Sequence, residues 1–317
     1  MQQLIILAPA KINLSLDVVG LRADGYHLLS TVMQTIDLAD QVELVLEPDE
    51  NPTAAHKAVT ISLTCDLGDI PLDRGNTAYK AASLFFSHEK IRPHISSALR
   101  VAIHIKKIIP VAAGLAGGSA DAAAVLFGLN RCFPEHLAQQ DLFELAVRTG
   151  ADVPFCLQGG TVLCEGIGEQ LTPLPSWSDL PVLLACPDQS LMTAQIFSAY
   201  NNLNGQAERD RPDTEAVLRA VRNRDLFALA ASTGNVLTAA ACHYIPEIAL
   251  LRQQMLDCGA LVSQMSGSGP SVFSLFPKDL LCRKAIGRLE SIWPYYRFIC
   301  CRSRSAGPEL IWSGTPS

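Results

Sequence analysis

The segment from Pro110 to Ala123 constrains this chain more than any other. It reads Pro110-Val-Ala-Ala-Gly114-Leu-Ala-Gly117-Gly118-Ser119-Ala-Asp121-Ala-Ala123. Upstream, Val101, Ile103 and Ile105 alternate with Ala102, His104 and Lys106, the period of a half-buried strand. Downstream, Ser119 to Asn130 is built of good helix formers. Ser119 is expected to cap that helix, with Asp121 in its first turn. The glycines therefore sit in a loop that feeds a helix N-terminus, where free N–H groups and the helix dipole favour an anion. Two common phosphate loops are excluded. No Lys follows the last glycine, as a P-loop requires, and the GxGxxG spacing is absent. Taken alone, such a turn could equally serve to pack a helix closely on a sheet.

The 317 residues are enough for one large or two modest domains, and 49% of them are hydrophobic, so a sizeable core is available. No apolar run reaches the roughly 20 residues of a membrane span, so no membrane partner is expected. The start, Met1-Gln-Gln-Leu-Ile-Ile-Leu, has no basic region and runs into an apparent strand, and a cytoplasmic protein is expected. A net charge of −6 without a basic block argues against nucleic acid. The ten cysteines form no C-x-x-C pair and the histidines show no ligand spacing, which argues against structural zinc. The cysteines are expected to be thiols. A monomer or homodimer fits this composition, and the role of the Cys300–Cys301 pair is left open.

Along the chain, Lys11, Asn13, Ser15 and Asp17 alternate with Ile12, Leu14, Leu16 and Val18, which predicts a strand with one polar and one apolar face. Further strands are expected at Val42–Leu46, Val59–Cys65, Thr161–Cys164, Val182–Cys186, Leu261–Met265, Val272–Phe276 and Tyr295–Cys300. Helices are expected at Asn76–Ser87, Asp141–Thr149, Thr193–Tyr200, Glu215–Arg222, Ile245–Asp257 and Asp279–Ile292. Pro48–Lys57 and Asn201–Pro212 read as polar loops, and the tail after Ser303 as loosely ordered. This mixed order predicts an α+β fold of two domains, 1–165 and 166–317.

Three segments carry candidate chemistry. In Ala8-Pro-Ala-Lys11-Ile-Asn13-Leu, Lys11 and Asn13 share a strand face and can project into one cleft; a Lys so placed is otherwise an ordinary solvated charge. In Gly150-Ala-Asp152-Val-Pro154-Phe, Pro154 is expected to hold Val153 extended, leaving Asp152 at a break after a helix. Met265-Ser-Gly267-Ser-Gly269-Pro270 reads, by itself, as a hairpin turn. Together with the Pro110 segment, and in the same order, the three resemble the motifs of the GHMP kinases (galactokinase, homoserine kinase, mevalonate kinase and relatives). The resemblance runs from Ala8 to about Phe276 and implies a two-domain GHMP kinase fold with the active site in the cleft between domains.

By that resemblance ATP is the co-substrate, with Mg²⁺ expected and its protein ligand unknown; Ser119 is one candidate. It also implies that the phosphates are wrapped by Pro110, Val111, Ala112, Ala113, Gly114, Leu115, Ala116, Gly117, Gly118, Ser119 and Ala120, and that Asn76 and Lys107 approach the adenine. The same resemblance makes Asp152 the general base and Lys11 its ion-pair partner, polarising the substrate hydroxyl.

Arg22-Ala-Asp24-Gly25-Tyr26-His27 is a turn that presents an aromatic ring and an imidazole, a pairing suited to a flat heterocycle. After Pro-Ala-Lys-Ile-Asn it resembles the GHMP kinases whose substrate is a cytidine diphosphate derivative of methylerythritol. That resemblance places Asn13, Tyr26, His27, Thr193 and Phe197 at the substrate, with Phe197 covering one face of the base. Two departures from the pattern are Ala116, where many members carry Gly, and Ala194, where Pro is expected after Thr193. The methyl of Ala116 matters if φ there is positive.

Overall fold

The computed structural model describes residues 1–49, 59–68, 70–133, 137–203 and 210–315. Its elements, in chain order, are β1 (Gln2–Leu21), β2 (His27–Pro48), β3 (Val59–Cys65), α1 (Thr77–Ser87), β4 (Leu99–Lys106), α2 (Gly117–Cys132), α3 (Gln139–Thr149), α4 (Val153–Gln158), β5 (Thr161–Gly166), β6 (Gln170–Pro173), β7 (Pro181–Pro187), α5 (Thr193–Tyr200), α6 (Thr214–Asn223), α7 (Leu226–Ser232), α8 (Thr238–Tyr244), α9 (Glu247–Asp257), β8 (Val262–Met265), β9 (Val272–Leu275), α10 (Asp279–Ile292), β10 (Tyr296–Arg302) and β11 (Glu309–Gly314).

The strands form two sheets. One has seven strands in the order β11-β1-β2-β4-β3, with β5 also on β2 and β6 on β5; the other has four, in the order β10-β7-β9-β8. Helices α1 to α4 pack with the first sheet, and α8, α9 and α10 cover the second. The expected alternation in β4 holds, with Val101, Ile103 and Ile105 buried.

β1 is the long strand that joins the two cores. Leu4, Ile6, Ala8, Ala10, Ile12 and Leu14 belong to the first, and Leu16 and Val18 to the second. Its polar face is not solvated: Lys11, Asn13, Ser15 and Asp17 are buried as well. Buried polar groups need partners, and each of these has one within the fold.

Helix α2 is buried along nearly its whole length, and its alanines let it lie close to the sheet. Gly128 sits at the closest approach. A Cβ there would come within 2.4 Å of Ile6 Cδ1 and 2.5 Å of Leu44 Cδ1.

Several sequence expectations are corrected. Helix α2 starts at Gly117, so Ser119 lies inside its first turn and Ala116 holds the cap position. Pro154 does not hold Val153 extended: Val153 begins α4 and Pro154 occupies its first turn, where its missing N–H costs nothing, while Asp152 does lie in the break between α3 and α4. The helix expected over Ile245–Asp257 is α9, which starts two residues later, at Glu247, after a break at Ile245 and Pro246. Elements α4, α7, α8 and β6 have no counterpart among the sequence expectations. The tail after Ser303 is ordered: β11 pairs antiparallel with β1 from Leu7↔Glu309 to Gln3↔Gly314. The expected loops at Pro48–Lys57 and Asn201–Pro212 lie largely outside the described residues.

Candidate active site

Three of the four segments meet at the backbone carbonyl of Gly114. Lys11 Nζ donates to it at 3.1 Å and Ser266 Oγ at 2.9 Å. The Lys11 N–H donates to Leu115 O at 3.1 Å and the Ser271 N–H to Ala113 O at 3.3 Å. Strand β1, the glycine loop and the β8–β9 turn are thus one hydrogen-bonded unit.

Lys11 and Asn13 do share a strand face, between register shifts that flank them in β1. Such bulges aim side chains beside active sites. Lys11 Nζ donates to Asn13 Oδ1 at 2.7 Å, and Asn13 Nδ2 donates to Thr31 Oγ1 at 2.9 Å. Asp152 Oδ2 lies 3.9 Å from Lys11 Nζ. Asp152 holds the N-cap position of α4 but its side chain makes no capping hydrogen bond and is 34% exposed. Its carboxylate is therefore open to an incoming hydroxyl. Lys11, by contrast, is 4% exposed and oriented by three neighbours.

The first helical bond of α2 runs from the Ala120 N–H to Ala116 O, at 2.9 Å. The N–H groups of Gly117, Gly118 and Ser119 precede it and have no acceptor in the helix ladder. They stand at the helix N-terminus where the sequence leads to the expectation of an anion site. Ala120 is inside the ladder, and Leu115 is buried; neither lines the cleft. Ala116 has φ 57° and Ala112 φ 52°, both in the left-handed region. For an alanine this conformation costs roughly 1–2 kcal/mol. The methyl of Ala116 therefore matters, and Ala116→Gly is expected to raise the melting temperature by roughly 2 °C, measured by thermal unfolding.

Asn76 caps α1, accepting from the Ala78 N–H at 2.9 Å, while Thr77 Oγ1 donates to Gly118 O at 2.7 Å. Lys107 lines the cleft, but its ammonium points into a buried cluster. It pairs with Asp40 and donates to Asp121 Oδ2 at 2.8 Å. Asp40 also accepts the N–H groups of Ile108 and Ile109 through Oδ1. The strand that leads into the loop is thereby tied to β2.

Asp121 Oδ1 is buried without a hydrogen bond. Burial above all pushes the Asp121 carboxyl up to about 7; Lys107 opposes this and Asp40 adds to it. A carboxyl raised in the folded state binds its proton more tightly there than in the unfolded chain. The fold therefore loses stability as pH rises from the ordinary value near 4 through 7. Asp121→Asn removes this dependence. The melting temperature of the variant relative to wild type is expected to be higher at pH 8 than at pH 5.

Tyr26, His27, Thr193 and Phe197 line the same cleft as the loop and Lys11, a cavity of about 1180 Å³. The rings of His27 and Phe197 stack with centroids 4.9 Å apart, Tyr200 stands edge-on to His27, and His27 Nε2 is 2.8 Å from Asn201 Oδ1. Tyr26 faces outward, 60% exposed, with the Arg22 guanidinium 5.5 Å from its ring centre. Thr193 Oγ1 is 3.0 Å from Ser268 Oγ, which ties α5 to the β8–β9 turn despite Ala194.

Sequence reasoning missed Asp40 and Asn235. Asn235 is fully buried, and its Nδ2 donates to Met265 O at 2.9 Å and Gly267 O at 2.8 Å. It holds the third glycine turn in place. Neither residue lies in a recognisable motif; their roles come from contacts between segments far apart in the chain.

This fold, a glycine loop at a helix N-terminus and a Lys–Asp pair beside it, is that of the GHMP kinases. Their N-terminal domain model matches residues 76–160 and their C-terminal model residues 215–289. The chain belongs to this family and is a small-molecule kinase; GHMP kinases use ATP as co-substrate. Within the family, it is 43% identical over 294 residues to the 4-diphosphocytidyl-2-C-methyl-D-erythritol kinase of Acetivibrio thermocellus, covering 92% of this chain and 97% of that one. It is 44% identical over 269 residues to the same enzyme of Clostridium botulinum, covering 85% and 89%. A crystal structure of 4-(cytidine 5'-diphospho)-2C-methyl-D-erythritol kinase superposes with a TM-score of 0.69 at 31% identity, covering 97% of this chain and all of that one. A homoserine kinase from Cytophaga hutchinsonii shares the fold, with a TM-score of 0.74 at 20% identity. Among the described residues, no helix is long and apolar enough to cross a membrane.

Proposed function

We propose that this chain carries out the reaction its curated relatives are named for, the ATP-dependent phosphorylation of 4-diphosphocytidyl-2-C-methyl-D-erythritol, at the 2-hydroxyl. The observation that carries the reading is a single cleft lined by the glycine loop, the Lys11–Asp152 pair and the Tyr26, His27 and Phe197 rings.

Asp152 takes the proton of the 2-hydroxyl as its oxygen bonds to the γ-phosphorus and the bond to the β-phosphate oxygen breaks, releasing ADP. Lys11 steadies the developing charge, its position set by Asn13 and Gly114. The N–H groups of Gly117, Gly118 and Ser119 hold the phosphates. Asn76 and Lys107 belong to the adenine side of the cleft, and Asn13 and Thr193 to the alcohol side. Mg²⁺ neutralises phosphate charge when bound. Ser119 is the hydroxyl at the helix start that would reach it, and the described residues gather no group of three His, Cys, Asp or Glu side chains for a metal. Phosphates and water would supply the rest of its ligands. The domain division at about residue 165 is likewise proposed, with β11 returning from the second part to the sheet of the first.

The cytosine is held by the aromatic cluster. Tyr26→Ala is expected to raise KM for the cytidylyl substrate about tenfold, the scale of one lost stacking contact, with KM for ATP nearly unchanged. The deciding assay is ADP release with ATP, Mg²⁺ and each of three alcohols: the cytidylyl substrate, mevalonate and homoserine. Turnover with the first alone supports the reading. Turnover with another alcohol would discard the cytosine pocket, and no turnover with any would discard the reaction.

A further inference from the structure

The Cys300–Cys301 pair belongs to none of the machinery above. Strand β10 alternates, so the two side chains leave opposite faces of the second sheet. Cys301 is buried in the core shared with the first sheet. Cys300 turns to the other face, under α10, where its Sγ lies 3.0 Å from Cys282 Sγ. Among the described residues, Cys300 is the one exposed cysteine; Cys282 is buried.

We propose that Cys282 and Cys300 are a thiol-oxidation site that closes reversibly to a disulfide, bracing α10 against the edge strand β10. The sulfurs need to approach by about 1 Å to reach bonding distance. The elements that carry them are already fixed to one another. Cys282, Ala285 and Leu289 bury one face of α10, and Asp279 in its first turn is ion-paired with Arg302 at the end of β10. Closure therefore asks only for side-chain movement.

The co-reactant is a low-molecular-weight disulfide such as oxidised glutathione. The accessible Cys300 thiolate attacks it, forming a mixed disulfide and releasing one thiolate. The Cys282 thiolate then attacks Cys300 Sγ and releases the second. Two protein thiols are oxidised, one external disulfide is reduced to two thiols, and the two thiol protons pass to solvent or to the departing thiolates. Burial pushes the Cys282 thiol up, so the second step is the slower one, offset by the proximity of the two sulfurs. Among the described residues, Cys282 and Cys300 are the one pair of cysteines within hydrogen-bonding geometry of each other.

The experiment treats the full chain with oxidised glutathione, blocks the remaining thiols by alkylation and maps the peptides without reduction. The expected result is loss of two of the ten thiols, a Cys282–Cys300 linked peptide, and recovery of both thiols with dithiothreitol. The melting temperature of the oxidised form should rise by roughly 3–6 °C, because the link closes an internal loop of the unfolded chain. Cys300→Ser and Cys282→Ala should each abolish the link. Turnover of Cys300→Ser should match wild type, since no residue of α10 or β10 lines the cleft. A stable glutathione adduct on Cys300 with Cys282 still alkylated, a Cys300–Cys301 or intermolecular link, or no thiol loss would each overturn the proposal. A link that leaves the melting temperature unmoved would overturn the bracing role.

Discussion

Asp152→Asn is expected to lower kcat by roughly 10²–10⁴-fold, the usual contribution of a positioned general base. The substitution keeps the shape of the side chain. It also leaves intact the hydrogen bonds of Lys11 to Asn13 and Gly114, which do not involve Asp152. ATP binding, measured by calorimetry or nucleotide displacement, should therefore stay within about threefold of wild type, and the melting temperature should barely move. A variant that retained more than about a tenth of wild-type turnover would show that the hydroxyl proton leaves by another route, and Asp152 would lose its assigned role. Lys11→Ala is a poorer probe, because it also removes a donor from the Gly114 carbonyl and from Asn13 Oδ1.

The second large effect is expected at Gly114. Its φ is +77°, and a Cβ there would stand 2.2 Å from the backbone oxygen of Ser266 and 3.0 Å from that of Gly269. Neither clash can be relieved by turning a side chain. Gly114→Ala should separate the phosphate loop from the β8–β9 turn and move the carbonyl that orients Lys11. We expect KM for ATP to rise at least tenfold, kcat to fall by a similar factor, and stability to drop by about 3 kcal/mol or more. Gly287→Ala is the control. Beyond the helix's own backbone nothing lies within 4 Å of a Cβ there, and the position is inside helix α10, where Ala is favoured over Gly. If the two variants behave alike, the loop is not packed as described.

The contrast between these residues and others shows what could be read before folding. Lys11, Asp152 and the loop glycines lie in short ordered motifs whose residue types are dictated by the chemistry, and the GHMP fold and kinase reaction are legible from them. Regular elements with a clear period, such as β3, β4 and α5, are equally legible. Ser119 looks like a cap because it is the first hydroxyl before the helix-forming run, yet the helix begins two residues earlier, on Gly117 and Gly118. Pro154 has two physical readings, a restraint on the residue before it or a preformed first helical turn, and local sequence does not choose between them. Strand β11 needs the edge of β1 as a partner, and nothing in Glu309–Gly314 announces that edge. Asp40 and Asn235 act through backbone groups of remote segments, which have no side-chain signature at all.

Strand β1 carries a consequence for how ligands enter. Its residues serve both cores in turn, and at the crossover Leu16 pairs with Asn235, whose amide grips the third glycine turn. Prising the two halves of the molecule apart like a jaw would bend one continuous strand and break that grip in the same movement. Accommodation of ligands is therefore expected at the rim, at the turn at Gly25 and the helix bearing Phe197, while Lys11, midway along that strand, keeps its bonds to Asn13 and Gly114.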